Sequence, residues 1–252
     1  MKNIFKLSII IAVLSALGCA PSASQLEKVV SENPEILFNA IEKHPGKFIE
    51  VVNKAARNAQ MEARQKEAED EQKRMEDEFK NPKQPKISDG RAVFGKKDAP
   101  ITIVEYSDFE CPYCAKGYDT MKEVMKEYQG KVKVIYKHLP LEFHPMAMPA
   151  AKYFEAMVIQ SPSKAEKFHD MIFENQNKLK SQKEAYLKDA AKKVGADMNK
   201  LMKDLDSDAV KKVIEADMAE AKEFGFSGTP GFLVNGVSLK GAYPYEEFKK
   251  II

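Results

Sequence analysis

Two cysteines with a spacing suited to redox chemistry stand in "VEYSDFECPYCAKGYDTMKEVMKEY", residues 104–128. Cys111 and Cys114 directly follow a strand-like run, and a helical pattern begins at once behind them. The start of a helix presents unpaired backbone N–H groups with partial positive charge, which stabilise a thiolate. We therefore expect a lowered pKa for Cys111, because the thiolate is the form that attacks a disulfide. Pro112 fits the first helical turn, where its missing N–H costs nothing.

A structural disulfide and a zinc site are the other interpretations of the pair. A Cys-x-x-Cys bridge closes a very small loop, so it constrains the unfolded chain little. A structural zinc site needs four ligands, and the sequence has neither a second cysteine pair nor two histidines at a spacing of three to five. We therefore expect no metal, and structural or exposed roles for His138 and His144. A catalytic redox pair is the remaining interpretation. In it, Cys114 stands one turn into the helix and is able to attack a mixed disulfide.

The elements around the pair predict an α/β fold. Residues 101–106 form a buried strand, residues 112–128 a helix, and "KVKVIYKHL" a second strand. From Met146 to about Gly225 one helical pattern follows another. The last segment, "GTPGFLVNGVSLKGAYPYEEFKKII", predicts a strand, an Asn-Gly hairpin turn, a second strand and a closing helix.

The region from about Gly90 to Ile252 resembles the DsbA-like branch of the thioredoxin fold. The resemblance is carried by "EYSDFECPYC", the strand ending in "KHLPL", the helical block and "GTPGFLVNG". It implies a thioredoxin fold with a helical insertion at about 145–205, and thiol-disulfide exchange without a metal or an organic cofactor. It also implies that Pro230 is cis beside the sulfurs, and that Thr229 offers backbone hydrogen bonds to an extended substrate. Phe232 is expected to help line a peptide groove.

Glu105 stands six residues before Cys111. The resemblance implies that a buried acid at this spacing moves a proton to and from Cys114. Strand alternation places Glu105 with Ile103 on the face opposite Val104, which allows burial and a raised pKa. The alternative is a strand residue that faces solvent.

The dipeptide between the cysteines, Pro112-Tyr113, departs from the Pro-His of the best-known oxidase of this family. A histidine adds a donor or a positive charge near the sulfur, so we expect a less stabilised thiolate and a less oxidising pair here. Pro-Tyr also occurs in glutaredoxins, and glutathione binding is the alternative, although export and a large helical block are not typical of them. The direction of the chemistry, oxidase or isomerase or reductase, stays open.

The first 24 residues predict an export signal. Lys2 and Lys6 precede the apolar run 7–17, which is followed by small residues. "ALGC" resembles a lipobox with two positions reversed, so lipidation of Cys19 and ordinary cleavage further on both remain open. Loss of the two lysines takes the formal charge from +2 to 0, which gives no reason to expect nucleic acid. We expect a protein of the periplasm or cell envelope that meets cysteine-containing exported proteins and a membrane redox partner.

Residues 25–80 predict a helical arm, and residues 81–88 a Pro-punctuated linker before a domain at 89–252. Three short amphipathic helices and a longer charged one are too thinly apolar for a core of their own. Self-association and packing onto the main domain are both open. "SENPEILFNAIEKHP" resembles the arm of the oligomeric ScsC group. The alternative function is a non-catalytic surface lipoprotein that binds a partner through this arm.

Overall fold

The structure, a computed structural model, describes residues 22–252. The predicted export segment up to residue 21, with Cys19, lies outside the described residues. The chain divides into two compact units between Ala68 and Glu69. The first contains two short helices and most of a third, and the second contains a mixed α/β fold.

Three helices make up the described part of the first unit: α1 (Ala23–Glu32), α2 (Glu35–Lys43) and α3, which begins here and spans Pro45–Lys80. The Ser22 hydroxyl accepts a hydrogen bond from the Gln25 N–H, and the Gln25 side chain accepts one from the Ser22 N–H at 2.8 Å, which caps α1. The sequence predicts a third short helix and, after it, a charged segment that continues as a helix. Both segments form the single helix α3, because no proline or glycine interrupts the chain after Gly46.

The end of α3 is bound to the second unit, which begins at Glu69. Glu78 is buried and accepts hydrogen bonds from the Ser238 N–H at 2.6 Å and from Lys83 Nζ at 2.5 Å. Arg74 adds an ion pair at 2.7 Å. Burial alone would raise the pKa of Glu78, but these bonds lower it to about 2. The carboxylate therefore fastens the last turns of α3 to the sheet.

Five strands form one sheet in the order β1-β3-β2-β4-β5. β2 and β3 are parallel, and the other neighbours are antiparallel. The strands are β1 (Val93–Gly95), β2 (Ile101–Ser107), β3 (Val132–His138), β4 (Gly231–Val234) and β5 (Val237–Lys240). The predicted strand-turn-strand at the end of the chain is confirmed, with positive φ at Asn235 and Gly236 in the turn.

Eight helices surround this sheet among the described residues. α4 (Pro112–Glu127) follows β2, and α11 (Tyr245–Ile251) closes the chain. The block between β3 and β4 comprises α5 (Ala147–Gln160), α6 (Pro162–Glu174), α7 (Gln176–Gln182), α8 (Glu184–Lys193), α9 (Met198–Asp204) and α10 (Asp208–Glu223). The predicted α/β fold with a helical insertion is confirmed.

The central strand β2 packs on both faces, which buries the residues that lead into the cysteine pair. Ile103 lies in one core cluster with side chains of α4, β4 and α11. Val104 and Tyr106 lie in a second cluster with Leu233 and Phe226. The two cysteines belong to a third cluster, which joins them to the helical insertion.

Candidate active site

The cysteine pair lies at the junction between β2 and α4. Cys111 is the N-cap of α4 with an extended backbone, and Pro112 is the first helical residue, as predicted. Both cysteines are free thiols in this structure. Cys111 retains 4% of its surface in solvent, whereas Cys114 is fully buried, so the first sulfur is the one that a substrate can approach.

The two thiols have opposite pKa shifts. A hydrogen bond from the Cys114 thiol lowers the pKa of Cys111 to about 5, against the effect of burial. The backbone N–H groups of Cys114 and Tyr113 at the start of α4 contribute in the same direction. Burial raises the pKa of Cys114 well above its ordinary value, and the hydrogen bond and charge of Cys111 add to this. At neutral pH the pair therefore combines a thiolate with a protonated thiol.

The Thr229–Pro230 peptide bond is cis and lies beside the sulfurs, the geometry that the resemblance implies. Cys111 Sγ lies 3.6 Å from the Thr229 carbonyl oxygen, to which the thiol donates a hydrogen bond when it is protonated. α4 approaches closely at Gly117, where an added Cβ would lie 3.3 Å from Pro230. The expectation for Phe232 was wrong: its ring is fully buried against Phe248, because β4 is covered by α11.

Glu105 lies in the middle of β2 and is 2% exposed, so the solvent-facing alternative is excluded. Burial raises its pKa to about 7, with the Ser107 hydroxyl opposing the shift. The parallel register pairs Glu105 with Tyr136 of β3. Burial raises the pKa of Tyr136, and charge on Cys114 or Glu105 would raise it further, so these groups share one electrostatic environment. A carboxyl group with a pKa near neutrality can both take up and release a proton.

Asp108 is a site residue that the sequence analysis missed. Its backbone N–H donates to Cys114 Sγ at 3.4 Å. Its carboxylate accepts hydrogen bonds from the Leu141 N–H at 3.0 Å and from His144 Nδ1 at 2.7 Å. His144, expected to be structural or exposed, is structural. The loop that carries the cysteines is thereby tied to the loop before α5.

Gln176, in the first turn of α7, is a second missed residue. Its Nε2 donates to the carbonyl oxygens of Phe109 at 3.0 Å and Cys111 at 2.7 Å. The helical insertion thus holds the backbone on both sides of Glu110. No local pattern could have indicated this contact, since 65 residues separate Gln176 from Cys111.

The two other candidate side chains, Tyr113 and His138, differ in burial. Tyr113, between the cysteines, is 58% exposed, with Lys116 Nζ 5.3 Å from its ring centroid. His138 is buried and lies 2.8 Å from Glu155 Oε1. Within residues 22–252, no group of three or more His, Cys, Asp or Glu side chains is placed to hold a metal ion.

Comparison with known proteins places this site in a family. A family model described as thioredoxin matches residues 87–252. The chain belongs to the thioredoxin family. The match begins six residues before β1 and includes the whole sheet, both cysteines and the cis peptide bond, so the candidate site lies wholly within the family domain.

Solved structures of similar fold are thioredoxin-like oxidoreductases. Oxidised BdbD from Bacillus subtilis is 27% identical, with a TM-score of 0.58, over 68% of this chain and 94% of that one. A thioredoxin-like oxidoreductase from Silicibacter pomeroyi DSS-3 is 24% identical, with a TM-score of 0.56, over 65% and 90%. A linker-deleted ScsC variant from Proteus mirabilis is 22% identical, with a TM-score of 0.55, over 93% and 96%. The DsbA-like form of the thioredoxin fold is therefore confirmed.

The curated relatives are much longer proteins. Na(+)/H(+) antiporter NhaA 3 of Salinispora tropica is 34% identical over 155 residues, which are 61% of this chain and 23% of that protein. The NhaA of Herminiimonas arsenicoxydans is 34% identical over 162 residues, which are 24% of its length. The chain thus spans about a quarter of these relatives. No helix within residues 22–252 has the length and apolar character needed to cross a bilayer.

Proposed function

We propose that this family member is an exported thiol-disulfide oxidoreductase that exchanges disulfides with protein substrates through Cys111-Pro112-Tyr113-Cys114. The observation that carries the proposal is the position of Cys111 at the start of α4, 3.6 Å from the Thr229 carbonyl oxygen and in front of the fully buried Cys114. This arrangement lowers the pKa of Cys111 and raises that of Cys114. A stabilised thiolate is both a good nucleophile at neutral pH and a good leaving group. A non-catalytic binding protein would have no need of this asymmetry.

The exchange proceeds in two displacement steps. In the reducing direction, the Cys111 thiolate attacks a substrate disulfide, which forms a mixed disulfide and releases one substrate thiolate. Glu105 then takes the proton of Cys114, whose sulfur attacks Cys111 Sγ and expels the second substrate thiolate. Two electrons pass from the cysteine pair to the substrate, and the pair becomes a disulfide. The oxidising direction is the reverse, with Glu105 returning the proton to Cys114 as that sulfur leaves.

The geometry beside Cys111 supports a role for Thr229 and Pro230 in holding the substrate. The Thr229 carbonyl oxygen is already within hydrogen-bond distance of Cys111 Sγ. An extended substrate that pairs with this backbone would bring its own sulfur to Cys111, as in strand addition. The exposed ring of Tyr113, which follows Cys111 and Pro112 in the chain, offers apolar contact to a substrate.

The helical arm at 25–80 supports a proposal of self-association. Its part from Leu26 to Val52 exposes ten large apolar side chains, each with 40–60% of its surface in solvent: Leu26, Val29, Val30, Ile36, Leu37, Phe38, Phe48, Ile49, Val51 and Val52. Such a surface is expected to find an apolar partner. Light scattering should give a mass of at least two chains for the protein, and a single chain for Leu37→Asp with Ile49→Asp. A monomeric parent protein would contradict the proposal.

The function is tested with ribonuclease in two starting states. The protein is mixed with reduced ribonuclease and with scrambled-disulfide ribonuclease, and Cys111→Ser is the blank. Reactivation of the scrambled enzyme above the blank indicates an isomerase, and rapid oxidation of the reduced enzyme indicates an oxidase. No difference from the blank in either assay would overturn the proposal and favour the lipoprotein alternative.

A further inference from the structure

A cavity of about 440 Å³ opens between α4 and α6 on the sheet face that carries Glu105. Its volume lies within the range of small-molecule sites, about 300–1,000 Å³. It is roughly three times the volume of about 150 Å³ that suffices for benzene. Its lining includes neither cysteine nor the Thr229–Pro230 segment, so it is separate from the surface proposed for protein substrates.

The walls of the cavity are mainly aromatic and thioether side chains. Phe94 comes from β1, Tyr118 and Met125 from α4, and Tyr136 from β3. His169 of α6 completes the ring of aromatic groups, with its centroid 4.5 Å from that of Phe94 and 4.8 Å from that of Tyr136. Such walls favour the apolar body of a ligand, and the faces of the rings attract a cation.

Glu105 and Tyr136 supply the buried polar groups of the cavity. Glu105 Oε1 and the Tyr136 hydroxyl are buried and have no hydrogen-bond partner within residues 22–252. The two residues are register partners on β2 and β3, so their side chains lie next to each other on one face of the sheet. Buried polar atoms of this kind are nearly always paired in folded proteins. A ligand that brings hydrogen-bond donors would pair with both.

The charge balance of the cavity favours a cation. At the mouth, Lys122 and Lys126 are balanced by Asp170 and Glu174, with Lys122 Nζ 3.4 Å from Glu174 Oε1. Burial lowers the pKa of His169, so its ring is neutral and does not repel a cation. The titratable groups that line the interior of the cavity beside Glu105 and His169 are Tyr118 and Tyr136, and burial raises the pKa of each, which keeps them uncharged at neutral pH. The carboxylate of Glu105 is then the one charge in the interior of the cavity without a counter-charge.

We propose that this cavity binds a small aryl- or alkylammonium ion. The apolar body lies against Met125 and the aromatic walls, and the ammonium group donates hydrogen bonds to the Glu105 carboxylate and the Tyr136 hydroxyl. A charge is buried favourably when it is both paired and hydrogen-bonded, and this arrangement meets the two conditions. A neutral ligand of the same shape would fill the cavity but leave the carboxylate without a counter-charge.

The site links ligand affinity to pH. The ammonium ion binds the ionised form of Glu105, so binding below neutral pH must release the carboxyl proton. With a pKa of about 7, affinity should be about tenfold weaker at pH 6 than at pH 8 and level above that. Pairing with the ammonium ion would also make the Glu105 carboxylate a weaker base, which would slow proton transfer from Cys114 if the proposed function holds.

The test is calorimetric titration of the purified protein with benzylammonium chloride, with benzyl alcohol as the uncharged probe of the same shape. At pH 8 the cation should bind at least about tenfold more tightly than the alcohol, the difference expected of a charged hydrogen bond. The difference should vanish in Glu105→Gln. Met125→Phe, which fills the cavity, should weaken both probes, while Met202→Phe, at an exposed methionine of α9, should change neither. This readout does not depend on disulfide exchange.

Two measurements on the unchanged protein keep the test decisive if Met125→Phe fails to fold. Titrations at pH 6.5 in buffers of different ionisation enthalpy should report proton release for benzylammonium and none for benzyl alcohol. The ring signals of Tyr136 and His169 in nuclear magnetic resonance spectra should shift on binding. Equal affinities of the two probes, binding that is independent of pH, binding that leaves these signals unmoved, or no binding of either probe would each overturn the proposal.

Discussion

The Cys111 thiol lies 3.6 Å from the carbonyl oxygen of Thr229, on the residue that precedes the cis proline. This contact joins the start of α4 to the start of β4, two points 118 residues apart in the chain. It places the reactive sulfur beside a length of backbone that can pair with an extended peptide. The proposed chemistry depends on this sulfur being a thiolate and on the supply of a proton behind it.

Glu105 should control the step in which Cys114 resolves the mixed disulfide. Glu105→Gln removes the base, so single-turnover oxidation of the reduced protein by a peptide disulfide should slow by about 10–100-fold at pH 8. The difference should shrink at pH 6, where a carboxyl group with a pKa of about 7 is mostly protonated. Glu142→Gln, at an exposed position in the loop before α5, is the matched control. An unchanged rate and pH profile in Glu105→Gln would rule out the carboxyl group as the proton carrier.

The same substitution should stabilise the fold at neutral pH. The pKa of Glu105 is raised from 4.5 to about 7 in the folded protein, so ionisation of the carboxyl group opposes folding increasingly as pH rises between those values. Relative to the parent, Glu105→Gln should therefore gain up to roughly 3 kcal/mol in free energy of unfolding at pH 8 compared with pH 4. Urea unfolding at both pH values measures this. A constant difference between variant and parent would contradict the raised pKa.

Gln176 should stabilise the backbone around the cysteines. Gln176→Leu leaves the carbonyl groups of Phe109 and Cys111 without their donor, and we expect a loss of about 1–3 kcal/mol in free energy of unfolding. Gln182→Leu, at an exposed position in the same helix, should change it by less than about 0.5 kcal/mol. Equal urea midpoints for the two variants would show that the side-chain contact to the loop is not maintained in solution.

Glu78 should make the free energy of unfolding depend on pH in the acid range. Its pKa is lowered from 4.5 to about 2, so its contribution is fully present above pH 4.5 and is lost as pH falls toward 2. Glu78→Gln should cost about 2 kcal/mol at pH 7 and much less at pH 3. Glu76→Gln, at an exposed position of the same helix, is the control. A cost that does not diminish on acidification would mean that the ion pairs with Arg74 and Lys83 contribute little.

The local features of the site were predictable because they depend on short stretches of sequence. The strand before Cys111, the proline after it and the burial of Glu105 each follow from spacing of one or two residues. The cis state of Pro230 came from the resemblance, since trans is the commoner state for any proline. The fold class followed from the order of strands and helices.

The parts that could not be predicted depend on contacts between distant segments. Asp108 and Gln176 are ordinary polar residues in the sequence, and only the folded chain brings them to Cys114 and Cys111. The attachment of the end of α3 to the sheet depends on Glu78 meeting Ser238, 160 residues away. Phe232 was expected in a groove because it stands two residues after Pro230 in the sequence, but β4 is covered by α11.

The most direct test of the account is a titration of the reduced protein followed by the ultraviolet absorbance of the thiolate. One thiolate should appear with a midpoint near pH 5, and it should be absent in Cys111→Ser and retained in Cys114→Ala, although at a higher midpoint because alanine provides no donor in place of the second thiol. A first midpoint near the ordinary cysteine value of about 8.5, or a signal that persists in Cys111→Ser, would contradict the assignment of Cys111 as the nucleophile.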